Sequence, residues 1–139
     1  MKNVMCFGTF DILHVGHLNY FRQAKKHGDY LIVVIARDQT KKAQKKATIF
    51  TEQERRELVE NLKIVDEAVL GYSGDHFRII REKKPEVLCL GYDHPLREED
   101  VRKKLAAFGL HPQIYRMKSY KPKTQKSTFL KEFFLKKLH

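Results

Sequence analysis

Gly8-Thr9-Phe10-Asp11-Ile12-Leu13-His14-Val15-Gly16-His17 is the stretch on which the reading of this chain turns. Ahead of it, Val4-Met5-Cys6-Phe7 is a short apolar run that reads as a buried strand. Behind it, Leu18, Phe21 and Ala24 recur at helical spacing until Gly28, which predicts a helix over about 15–27. The motif therefore joins a strand to a helix. Gly8 lets the chain turn sharply, and Gly16 keeps the helix start clear of side chain. Exposed N–H groups at such a start attract anions. His14 and His17 lie three apart, so both imidazoles can face one bound phosphate. One histidine there would read as structural; two around a glycine point to function.

Outward from the motif, Tyr30-Leu31-Ile32-Val33-Val34-Ile35-Ala36 is a continuous apolar run, as in a strand covered on both faces. Thr51-Glu52-Gln53-Glu54 has the form of a capping box, opening a helix with Leu58, Val59 and Leu62 on one side. Short strands are expected at 67–71 and 86–91, with a helix around 75–83 between them. A helix over 97–108 should turn Val101, Leu105 and Phe108 inward, and 113–116 reads as the last strand. Ser127 then caps a final helix bearing Leu130, Phe133, Phe134 and Leu138. The basic segments read as loops. This alternation with short connections predicts an α/β fold: one domain over 1–139, with a parallel sheet of about five strands flanked by helices. Ligands of such sheets bind at the carboxyl ends of the strands, near the switch point.

Of the 139 residues, 28 are Lys or Arg and 17 Asp or Glu, a net charge of +11. Residues 37–46 hold a surplus of four positive charges and residues 113–139 a surplus of seven, which together account for all of it. Charge so concentrated points to a phosphate-bearing partner: a nucleotide, a phosphorylated metabolite or nucleic acid. No apolar run approaches the roughly 20 residues of a membrane span, and no secretory leader is recognised, so a cytoplasmic protein is expected. Two cysteines, Cys6 and Cys89, supply neither a disulfide framework nor a zinc site, and both fall in strand-like runs as buried thiols. His27, His76, His111 and His139 lack metal-ligand spacing, so no protein metal site is expected.

The motif of Gly8-Thr9-Phe10-Asp11 with His14-x-Gly16-His17 resembles the signature of the cytidylyltransferase-like nucleotidyltransferases, a Rossmann-like branch of the HUP type. Arg55-x-x-x-Val59, Val65-Asp66-Glu67, Gly91-x-Asp93 and Ser127-Thr128 match further elements of that family. Ala36-Arg37-Asp38, Glu54-Arg55-Arg56-Glu57, Ser119-Tyr120-Lys121 and Ser127-Thr128-Phe129 are most similar to archaeal-type FAD synthases. The family's Trp after Gly-x-Asp is replaced by His94, which weakens a CTP reading more than an ATP one.

The resemblance implies transfer of AMP from ATP to FMN, giving FAD and pyrophosphate. His14 and His17 would donate to the α- and β-phosphates, helped by backbone N–H groups of Thr9, Phe10, Val15 and Gly16. Lys42, Lys45 and Lys46 are candidates to neutralise phosphate, Lys46 being carried as the catalytic one, and Arg55 would reach the phosphate region. Asp93 and Tyr120 would frame the adenosine, with Ser127 and Thr128 as phosphate ligands. A divalent cation, most simply Mg²⁺, would be held mainly by ATP. A homodimer is one expected state. The alternatives are a glycerol-3-phosphate cytidylyltransferase-like enzyme using CTP and a nucleic-acid-binding domain that stacks bases on the C-terminal aromatics.

Overall fold

A computed structural model of the protein describes residues 1–119. The elements run β1 (Asn3–Gly8), α1 (Val15–Lys25), β2 (Tyr30–Ile35), α2 (Asp38–Ala43), α3 (Glu52–Glu60), β3 (Glu67–Leu70), α4 (Arg78–Lys83), β4 (Val87–Leu90), α5 (Glu98–Ala106) and β5 (Gln113–Arg116). The strands form one sheet in the order β3-β2-β1-β4-β5. Every pairing is parallel.

The alternation of strand side chains explains the continuous apolar runs. Val4, Cys6, Leu31, Val33, Ile35, Val87 and Cys89 face one side, with Phe21 and Ala24 of α1 and Val59 of α3. Met5, Ile32, Val34, Leu88 and Leu90 face the other, with Ile79 and Ile80 of α4 and Val101 and Leu105 of α5. The inner strands β1, β2 and β4 are thus covered on both faces, as a doubly wound sheet requires, while edge strand β5 buries only Ile114. The chain leaves β1 toward one edge and returns through β4 toward the other, so the switch point lies between those two strands.

Three expectations need correction. Residues 38–43, read as a basic loop, form α2, a short helix with no buried side chain and therefore no apolar stripe to betray it. Leu58 is 48% exposed, because α3 buries Arg55 and Val59 instead. Residues 58 and 59 point about 100° apart on a helix, and the buried arginine disguised which of them faces in. Phe108 lies past the end of α5 at 49% exposure, with the Arg81 guanidinium 4.4 Å from its ring centroid. The Thr51 capping box forms as read: Glu54 N–H donates to Thr51 Oγ1 at 3.2 Å, and Thr51 N–H to Glu54 Oε1 at 2.9 Å. The helix expected after Ser127 falls on residues outside those described.

Candidate functional site

At the switch point, β1 and β4 are paired through Val4–Cys6 with Val87–Cys89 and no further. Beyond that, the Tyr20 hydroxyl of α1 replaces the ladder. It shares its O–H between the carbonyls of Phe7 (3.1 Å) and Cys89 (3.0 Å) and accepts from the Phe7 N–H at 3.2 Å. Burial pushes its pKa well up, so it stays a phenol. Phe10 turns back into the core beneath Gly8. A Cβ on Gly8 would stand 2.5 Å from the Phe10 ring, so only glycine fits. Phe10 itself has φ +54, an uncommon conformation for a residue with a side chain. Its ring packs edge-on against His17, with centroids 5.3 Å apart.

The two histidines open α1 and cap it themselves. His14 Nδ1 accepts from the Gly16 N–H at 3.0 Å, and His17 Nδ1 accepts from the His14 N–H at 3.2 Å. A histidine pair here does what Ser/Thr and Glu do in an ordinary capping box. An accepting Nδ1 places the proton of each neutral ring on Nε2. The rings stack with centroids 4.0 Å apart and planes 28° from parallel. Burial lowers the pKa of His14, and burial with the neighbouring His14 pushes His17 down to about 3. Both are neutral at pH 7, and each keeps one Nε2–H. That of His14 is buried with no partner among the described residues. An orphaned buried donor is costly unless a ligand completes it.

Self-capping changes the part expected of the backbone. The Gly16 N–H is spent on His14, so it is not free for phosphate as the motif had suggested. Val15 is half exposed at the first position of the helix, and Thr9 and Phe10 lie on the turn before it.

Arg55 also needs correction. It does not reach out to a phosphate: its side chain is fully buried. Nε donates to Phe50 O (3.2 Å), Nη1 to Thr9 O (2.9 Å) and Ala36 O (2.8 Å), and Nη2 to Asp38 Oδ1 (2.7 Å). One guanidinium thus ties the motif, the end of β2 and the segment before α3 together. Burial works against the Asp38 charge, yet Arg55 and the Glu52 N–H hold its carboxyl below the usual range. Asp11, quoted in the motif but given no role there, is buried and accepts from Ile49 N–H (2.7 Å) and Phe50 N–H (2.9 Å). An acid inside a glycine-aromatic turn was the only signal of it.

These contacts moor the basic segment made of α2 and the turn after it. α2 closes where Lys45 takes φ +58 and the Lys46 N–H returns to Lys41 O at 2.8 Å. Lys42, Lys45 and Lys46 are all exposed. On the β4 side, Asp93 is exposed and His94 half-buried. His94 Nδ1 accepts from the Leu96 N–H at 3.2 Å. Burial, then the nearby Arg116, lowers the His94 pKa. Tyr120, Ser127 and Thr128 lie outside the described residues. Among those described, no three His, Cys, Asp or Glu side chains group as a metal site, and no helix is long and apolar enough to cross a membrane.

The sequence profile of the cytidylyltransferase-like family matches residues 5–133. This chain belongs to that family. It is 42% identical over 117 residues to the FAD synthase of Picrophilus torridus, covering 84% of each chain. To the FAD synthase of Thermoplasma acidophilum it is 40% identical over 132 residues, 95% of this chain and 93% of that one. Among solved structures it resembles one from Thermoplasma volcanium, described as a lipopolysaccharide core biosynthesis protein. The TM-score there is 0.85 at 42% identity, over 86% of this chain and 98% of the other. The fold is accordingly the HUP-type, Rossmann-like one of the nucleotidyltransferases.

Proposed function

We infer that this chain is an FMN adenylyltransferase, making FAD and pyrophosphate from ATP and FMN. Relatives named FAD synthase, 40–44% identical over most of the chain, support the reaction class. Cytidylyl transfer to a polyol phosphate and nucleic-acid binding gain nothing from them. The observation that carries the reading to the site is the pair of neutral, stacked imidazoles, one with its Nε2–H buried and without a partner among the described residues.

An FMN phosphate oxygen forms the new bond to the α-phosphorus while the bond to the β-phosphate's bridging oxygen breaks, its electron pair leaving on pyrophosphate. With a second pKa near ~6 the FMN phosphate is largely dianionic, so no base is needed. What remains is to align two anions and stabilise the charge moving onto the leaving group. His14 and His17 do so as preorganised neutral donors, not as acid and base. The Thr9, Phe10 and Val15 backbone supports the same phosphates. Lys46, with Lys42 and Lys45 near it, neutralises charge from the moored segment at the end of α2. Asp93 meets the nucleoside from the β4 side; Tyr120, Ser127 and Thr128 are assigned by resemblance alone. The divalent cation, Mg²⁺ in this reading, arrives as part of the nucleotide substrate, and the cytoplasm is where both substrates meet the enzyme.

The test pairs the purified protein with ATP and FMN, or with CTP and glycerol 3-phosphate. Pyrophosphate release is followed, and flavins are separated by chromatography. FAD formed from ATP and FMN is the expected result. Turnover with CTP and glycerol 3-phosphate, and none with FMN, overturns the reading.

A further inference from the structure

One side chain holds most of the β4–α5 connection. Arg116, the last residue of β5, sets its guanidinium against residues 91–98. Nη1 donates to Gly91 O and His94 O, both at 3.0 Å. Nη2 donates to Leu96 O at 2.6 Å and Glu98 Oε1 at 2.6 Å, and Nε to the same Glu98 oxygen at 2.9 Å. A guanidinium has five N–H groups, and these five bonds occupy all of them. Arg116 therefore has nothing left to offer a ligand. Its work is to gather three backbone carbonyls of one short loop, which a planar fork reaches at once and an ammonium does not. Because the His94 carbonyl is gripped and the Leu96 N–H meets His94 Nδ1, the same grip sets the direction of the His94 Nε2–H.

We propose that Arg116 is a positioning residue for nucleotide binding: by holding residues 91–96 in one shape, it presents Asp93 and His94 to the nucleoside half of ATP. The inference rests on the reading above that this loop faces ATP. It makes Arg116 the counterpart of Arg55, which also gathers three carbonyls and one carboxylate, on the other side of the switch point.

The test uses the full chain and three variants, Arg116→Ala, Arg116→Lys and Glu98→Gln. ATP affinity is read by calorimetry, kcat and KM by kinetics, and loop order by hydrogen exchange. Arg116→Ala should weaken ATP binding and raise its KM about tenfold or more, with kcat within about threefold. Amides 92–97 should exchange faster while those of β1 and β2 do not change. Arg116→Lys should do the same, since the charge remains but the fork is gone. Glu98→Gln, which leaves the carbonyl contacts in place, should keep ATP affinity within about threefold. Full rescue by lysine, an unloosened loop, a loosened loop with unchanged ATP affinity, or equal loss in Glu98→Gln would each overturn the proposal. ATP binding is read without any acceptor, so failure to make FAD would sink the functional reading and leave this one standing.

Discussion

Replacing His17 by asparagine separates the two tasks of that ring. Asparagine Oδ1 stands where histidine Nδ1 stands, so it still accepts the His14 N–H and α1 keeps its cap. What disappears is the Nε2–H and a titrating group held near 3 in the folded protein against an ordinary 6.5. Between those values the unfolded chain takes up a proton that the folded one refuses. Stability therefore falls as pH drops from 6.5 toward 3. The gap, 6.5 less 3, is about 3.5, and at about 1.4 kcal/mol for each pH unit the full effect is about 5 kcal/mol. By pH 5 about 2 kcal/mol of it is already lost. Urea titrations at pH 7 and pH 5 measure this, and subtracting the variant's loss from the wild type's cancels the carboxylates common to both. The wild type should lose about 2 kcal/mol more than His17→Asn. At pH 7 the variant should stay folded while kcat falls roughly 10²–10³-fold, as for one preorganised donor removed. Equal acid sensitivity in both proteins would refute the buried neutral ring. A rate loss under about tenfold would remove His17 from the transition state.

Arg55→Met should cost about 3–5 kcal/mol in denaturant titration, because Asp38 loses its partner and three carbonyls lose their donor. A loss within surface-mutation range, about 0.5 kcal/mol, would mean that Arg55 holds nothing together. Tyr20→Phe strips the hydroxyl that serves Phe7 and Cys89, and thermal unfolding should register about 1–3 kcal/mol. An unchanged melting temperature would show that water replaces the phenol without penalty.

What could be read from the chain followed from local physics. The histidine pair lies at the strand–helix junction where its spacing put it, and Thr51 caps α3 through the side chains quoted for it. The continuous apolar run of β2 is covered on both faces as such a run demands. What could not be read depends on contacts between distant segments. Arg55 reads, by resemblance, as a phosphate-reaching cation until Thr9, Ala36 and Phe50 are seen to surround it. Asp11 is one more polar turn residue until residues 49 and 50 aim their amides at it. The Gly16 amide is a different case, taken by a cap only two residues away, because a histidine fills the place where Ser, Thr, Asp or Asn would have announced one. α2 is written in polar and charged residues with Ala43 alone among them, and neither period nor burial marks it out.

The Tyr20 hydroxyl stands where a backbone rung would otherwise bridge β1 and β4. The two strand ends are thus joined through one phenol hydroxyl, anchored in α1 two turns or less from the histidines. How the sheet opens past Cys6 and Cys89 is therefore decided from a helix, by a residue outside both strands, while the pairing of Val4–Cys6 with Val87–Cys89 lies behind it.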